Sequence, residues 1–113
     1  MRIILFFDLP AVTKTDVREY NHFLKNIKKK GFMMLQESVY TKLCINETVV
    51  NSTLKEINNE LPRDGIVSVL TITEKQFSSI KHLIGEINTD VVISEDSIVK
   101  LWLFYIYLIK KYI

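Results

Sequence analysis

The chain opens on an almost unbroken apolar run, MRIILFFDLP, that ends in a carboxylate and a proline. In an extended chain Ile3, Leu5 and Phe7 point to one side, while Ile4, Phe6 and Asp8 point to the other. Both sides are apolar until Asp8, the pattern of an interior strand buried on two faces. Pro10 cannot donate to a ladder and marks where the strand stops. The period then changes. Val17, Tyr20, Phe23, Leu24 and Ile27 recur at helical spacing, with Thr13 or Thr15 as cap and Asp16 and Glu19 near the positive end of the dipole. Lys28, Lys29 and Lys30 fill the last turn, and Gly31 is placed for a left-handed stop.

The segment FMMLQESVYTKLCI (32–45) is rich in β-formers but long for one strand. Its polar middle, Gln36-Glu37-Ser38, predicts two short strands meeting at a tight turn or bulge. Asn46-Glu47 starts a second helix with Val50, Leu54, Ile57 and Leu61 as its stripe, and Pro62-Arg63-Asp64-Gly65 turns the chain. IVSVLTIT (66–73) reads as a second interior strand. Thr73-Glu74-Lys75-Gln76 has the form of a capping box, followed by Phe77, Ile80, Leu83 and Ile84 on one helical face and a stop at Gly85. Residues 86–97 are polar and turn-rich and receive no assignment. Residues 98–109, IVKLWLFYIYLI, favour a strand at first, and the part beyond Trp102 suits a helix equally well.

The order strand, helix, strand pair, helix, strand is that of an α+β, ferredoxin-like βαββαβ sandwich, here with an extra C-terminal segment. Residues 1–101 form the expected domain and residues 102–113 an apolar extension. Two helices cover one sheet face only, yet the first strand is apolar on both. A second copy of the chain, meeting the first through the open face or the apolar tail, is the expected cover. The monomeric alternative folds the C-terminal segment back over its own sheet.

Composition narrows the class. At 113 residues, 48% hydrophobic and 25% charged, the chain is one domain in the ordinary globular range. A net charge of +2 is too small to argue nucleic-acid binding from bulk electrostatics. The single cysteine, Cys44, excludes an internal disulfide and a cysteine metal cluster, and suits a reducing cytosol. The opening run is short and ends in Asp8-Leu9-Pro10, unlike a signal peptide, and no run reaches the roughly 20 apolar residues of a spanning helix. A cytoplasmic protein with no membrane partner is expected.

Asp8 leads the candidates for chemistry. A carboxylate where the chain leaves the sheet suits a hard cation such as Mg²⁺, which prefers oxygen ligands. One acid is few for a metal, and a dimer axis would supply the second as Asp8 of the other copy. Two such acids repel unless a cation lies between them or one takes up a proton. Alternatively, Asp8 accepts backbone hydrogen bonds in the turn before the first helix. Glu37 can approach Asp8 if their strands are neighbours. His22 and His82 have no ligand-spaced partner and read as surface histidines, and Cys44 reads as an inert core thiol. Tyr20, Phe32 and Tyr40 can stack on bases but sit at core spacings. Lys28, Lys29 and Lys30 are either a solvated helix end or phosphate contacts.

FFDLP after a first apolar strand, Arg18 in the next helix, GFMMLQESVYTKL and IVSVLTITEKQF together resemble the second CRISPR-associated protein family (Cas-two), above all the forms that accompany type II systems. The resemblance covers roughly residues 1–101. Asp8 with Leu9-Pro10, and Gln36 with Ser38-Val39-Tyr40, are its most specific parts. It implies a ferredoxin-like homodimer that works with the CRISPR integrase in spacer acquisition and bridges a double-stranded protospacer DNA. It further implies a possible metal-dependent endonuclease activity on single-stranded RNA or double-stranded DNA, with Asp8 as the metal-binding and catalytic residue. Ser38 and Tyr40 match a strand-turn motif without a catalytic role. Relatives follow the last strand with a short polar tail, whereas WLFYIYLIKKYI (102–113) is apolar and aromatic. That departure reads as an altered reading frame at the gene end, an added oligomer contact, or a segment that lowers solubility.

Three functions follow from these readings. In the first, Arg18, Lys28, Lys29, Lys30 and Arg63 hold phosphates and nothing is cleaved. In the second, an Asp8 pair holds Mg²⁺, which activates water in a phosphodiesterase. The adaptor role is expected to be the biological one, with nuclease activity weak or conditional. A ferredoxin-like small-ligand sensor is the third, and it predicts a concave apolar pocket without affinity for DNA.

Overall fold

The computed structural model describes residues 1–85 and Lys110. Its elements are β1 (Arg2–Asp8), α1 (Lys14–Lys29), β2 (Met33–Gln36), β3 (Val39–Leu43), α2 (Glu47–Asn58), β4 (Ile66–Ile72) and a short α3 (Glu74–Ser78). The strands form one antiparallel sheet in the order β2-β3-β1-β4. This is the βαββαβ arrangement expected of the ferredoxin-like class. The extension at 102–113 lies outside the described residues except for Lys110, as do the unassigned stretch and the apolar block before it.

Local chemistry accounts for the helix ends. Thr13 caps α1 in a reciprocal box with Asp16, its hydroxyl accepting from the Asp16 amide and the Asp16 carboxylate accepting from the Thr13 amide. That donor holds the Asp16 carboxyl below its usual range. Asn46 caps α2, accepting from the Val49 amide. Thr73 and Gln76 form the anticipated box on α3. Gly31 takes φ +95° after α1. The β2–β3 turn is Glu37-Ser38, with Ser38 at φ 63° and a register shift between Met34 and Gln36, so both a turn and a bulge interrupt the segment.

The core lies on the helix-bearing face. Ile3, Leu5 and Phe7 of β1 pack with Phe23 and Ile27 of α1, Val50 and Ile57 of α2, Phe32, Tyr40 and Cys44. The Phe7 ring meets Phe23 and Tyr20 edge-on and stacks with Tyr40. Burial pushes the Tyr40 phenol above its usual pKa, and Tyr20 adds to the shift. Tyr40 and Phe32 are therefore core residues rather than base-stacking platforms. Thr41, also buried, leaves its hydroxyl without a hydrogen-bond partner among the described residues.

Two expectations need correction. First, among the described residues β4 pairs with β1 alone and forms an edge of the described sheet, where the sequence predicts an interior strand. Ile66, Val69 and Leu70 are 65%, 42% and 54% exposed, so an apolar run marked a strand without fixing its place in the sheet. Second, α3 stops at Ser78 instead of continuing through Ile84. Phe77 is its one buried side chain, whereas Leu83 and Ile84 are exposed, so no packing supports a longer helix. The Ser79 hydroxyl donates to the Gln76 carbonyl and helps close the end.

Candidate nucleic-acid and metal site

The alternation of β1 places Arg2, Ile4, Phe6 and Asp8 on the face away from α1 and α2. Their cross-strand partners on β4 are Ile72, Leu70, Ser68 and Ile66. On β3, Leu43, Thr41 and Val39 stand opposite Arg2, Ile4 and Phe6. On this face Arg2, Ile4 and Thr41 are buried, whereas Phe6, Leu70 and Ile66 are 41%, 54% and 65% exposed, and a charge stands at each end of β1. Asp8 is exposed and makes no hydrogen bond or ion pair among the described residues. The turn before α1 is satisfied by the Thr13–Asp16 box instead, so the structural reading of Asp8 as a turn acceptor does not hold.

What positions Asp8 is a close backbone approach. Gly65 has φ +103°, and a Cβ there would come within 2.6 Å of the Asp8 carbonyl oxygen and 2.7 Å of Leu9 Cδ2. Only glycine joins the start of β4 to the end of β1 in this way. Gly65→Ala is expected to cost about 1–3 kcal/mol from the left-handed backbone, with the clash adding to that. A urea unfolding curve of the variant, superimposable on that of the parent chain, would refute this. On the other side of β1 the Phe7 amide donates to the Ser38 carbonyl at 3.1 Å, which places the Glu37-Ser38 turn beside the same strand end.

The predicted cations do not form one cluster. Arg63 and Arg18 belong to the Asp8 end and Lys28 and Lys29 to the last turn of α1, while Lys30 reaches back to Glu60, which lines the same groove as Arg18 and Arg63. Arg63 Nε donates to Glu19 Oε1 at 3.0 Å, and the Arg63 amide donates to Glu19 Oε2. Lys30 is tied to Glu60, while Lys28 and Lys29 are exposed. Arg18, Glu19, His22, Phe23, Glu60, Leu61, Pro62 and Arg63 line a groove of about 310 Å³ between α1 and the α2–β4 turn. His22 thus lines a groove, whereas His82 is exposed beyond α3. Cys44 is buried, as expected.

Sequence reasoning missed the charge at the other end of β1. Arg2 is 2% exposed and donates to both carboxylate oxygens of Glu74, at 2.8 and 3.0 Å. Its guanidinium lies 4.1 Å from the centre of the Phe77 ring. The one local sign was a glutamate directly after the helix-capping Thr73.

Comparison with known proteins now decides the family. The profile of the CRISPR-associated protein Cas2 family matches residues 1–80. The chain belongs to the Cas2 family. A CRISPR-associated endoribonuclease Cas2 of Treponema denticola is 43% identical over 101 residues, covering 89% of this chain and all of the relative. A Cas2 endoribonuclease of Ligilactobacillus salivarius is 41% identical over 76% of this chain and 85% of its own length. The Streptococcus mutans Cas2 endoribonuclease is 37% identical over 88% of this chain and 91% of its own. Among solved structures, Streptococcus pyogenes Cas2 at pH 6.5 matches with a TM-score of 0.56 over 74% of this chain and 99% of that one. At 10% identity that last likeness bears on the fold alone, and it agrees with the ferredoxin-like Cas2 architecture.

Among the described residues no group of three or more His, Cys, Asp or Glu side chains is arranged to hold a metal. Asp8 is exposed and offers a hard oxygen donor. Mg²⁺ keeps several waters and binds through one or two carboxylates, so a carboxylate donor suits it better than a metal that prefers soft ligands. No helix among the described residues is long and apolar enough to cross a membrane.

Proposed function

We propose that this chain serves CRISPR adaptation as a homodimeric, nucleic-acid-binding bridge for the integrase, with Mg²⁺-dependent phosphodiester cleavage centred on a pair of Asp8 residues. The supporting observation is the exposed carboxylate of Asp8, without a hydrogen-bond or ion-pair partner among the described residues, beside the exposed apolar side chains of Phe6, Ile66 and Leu70. A second copy covering Phe6, Ile66 and Leu70 buries a surface that water otherwise wets, and the same contact brings the two carboxylates toward each other. The relatives' shared name, endoribonuclease, favours RNA as a substrate, and double-stranded protospacer DNA is the ligand of the bridging role.

Asp8 would hold the cation, and Gly65 keeps the strand end where the carboxylate can reach it. When bound, Mg²⁺ supplies Lewis acidity toward a phosphodiester. Arg18 and Arg63 lie at the same end of the sheet and steady phosphate charge there. Asp8→Asn in the full chain tests the reading. Cleavage of single-stranded RNA in Mg²⁺ should fall while binding of duplex DNA persists, and unchanged cleavage removes Asp8 from the chemistry.

The lysines at the far end suit the bridging role. Lys28→Ala with Lys29→Ala should reduce the salt dependence of duplex binding by about 0.9 per lost phosphate contact in each subunit. Lys30→Ala should change it less, because Lys30 is already paired with Glu60. A log–log plot of affinity against salt with the same slope for all variants removes this end of α1 from the DNA footprint.

A further inference from the structure

The groove between α1 and the α2–β4 turn has more built into it than phosphate contacts need. Arg18 and His22 lie four residues apart and so share one face of α1. Leu61, 45% exposed, supplies apolar surface over the buried Phe23, and Pro62 adds a flat ring. Both carboxylates in the lining are engaged: Glu19 accepts from Arg63 and Glu60 from Lys30. Arg18, by contrast, has no ion-pair partner among the described residues. The groove therefore offers a free guanidinium, an imidazole and an apolar wall.

We infer that this groove is a subsite for one unpaired nucleotide of a single strand, its base against Leu61, Pro62 and the His22 ring and its phosphate on Arg18. This rests on the nucleic-acid reading above and names the form of substrate. Paired bases are stacked inside their duplex and offer edges only, so an apolar wall recognises a base that has left the stack. At about 310 Å³ the groove has the size of a small-ligand pocket. Its placement also suits a substrate strand. Arg63 and Pro62 belong to the turn that ends in Gly65, whose backbone packs on Asp8. Consecutive Cα atoms are about 3.8 Å apart, so Arg63 stands within about 8 Å of Gly65 along the chain.

The test compares AMP, inorganic phosphate, a single-stranded RNA octamer and a blunt duplex DNA as ligands of the full chain. AMP should bind at least tenfold more tightly than phosphate, and the octamer should displace it. Leu61→Asp should weaken AMP and octamer binding at least tenfold while leaving duplex affinity within twofold. His22→Ala, a change at an exposed position, should weaken the same two ligands several-fold and guards against misfolding of the first variant. Arg18→Ala should weaken AMP and phosphate alike. AMP binding no tighter than phosphate overturns the subsite, as does insensitivity to both Leu61→Asp and His22→Ala. AMP that the octamer cannot displace assigns the groove to free nucleotides and overturns the strand reading, while displacement by an acidic peptide reduces it to a simple anion site. None of these readouts requires cleavage, so loss of the Asp8 chemistry and loss of the subsite are separable.

Discussion

Glu74→Ala should destabilise the fold by about 3 kcal/mol, out of all proportion to a surface glutamate after a helix cap. Its carboxylate takes two hydrogen bonds from a guanidinium that is 2% exposed, while Glu74 itself is 24% exposed. Removing the acid takes two charge-assisted hydrogen bonds from a buried cation, and the loss of that compensation for a desolvated charge is the source of the cost. Arg2→Met should cost clearly less, about 1 kcal/mol. Methionine refills the space over the Phe77 ring with a thioether, and the freed carboxylate can turn to water. Midpoints of urea unfolding at constant m-value would show the asymmetry. Equal losses, or a larger loss for Arg2→Met, would mean that the pair is not a buried charge problem.

Asp8→Asn has the largest expected effect on activity. Asn keeps the shape of the side chain, and Asp8 has no internal bonds to lose among the described residues, so unfolding midpoints should stay within about 0.5 kcal/mol. Amide oxygen is a far poorer partner for Mg²⁺ than carboxylate, and the exchange takes one negative charge from each subunit. A metal's Lewis acidity contributes several kcal/mol to a transition state, so cleavage should fall about a hundredfold or more, at about 1.36 kcal/mol per decade. Single-turnover rates in saturating Mg²⁺, beside duplex binding by the same samples, separate chemistry from affinity. A rate within threefold of the parent chain would place the active centre elsewhere.

The two residues differ in how far their roles could be read in advance. Asp8 stands out because it interrupts an apolar alternation, a pattern contained within ten positions of the chain. The Asn46 and Thr73 caps were legible for the same reason, and the first helix's cap was legible as Thr13 or Thr15: each observed cap closes a ring with a residue three positions on. Arg2 pairs across 72 residues and Lys30 across 30, and no local pattern distinguishes those cations from solvated neighbours such as Lys28. The rank of β4 was hidden too, because an apolar run reports affinity for a sheet and not the number of strands beside it. The division of the basic residues between two ends became visible only once α1 was seen to run back along the sheet from the Asp8 end.

That reversal makes α1 a ruler. At about 1.5 Å per residue its 16 residues measure about 24 Å, which is close to seven base-pair steps at about 3.4 Å each. A fragment shorter than that can touch the carboxylate end or the lysine end of a subunit, never both together, so oligonucleotide length alone would sort ligands that are merely nicked from those that are gripped along their whole span.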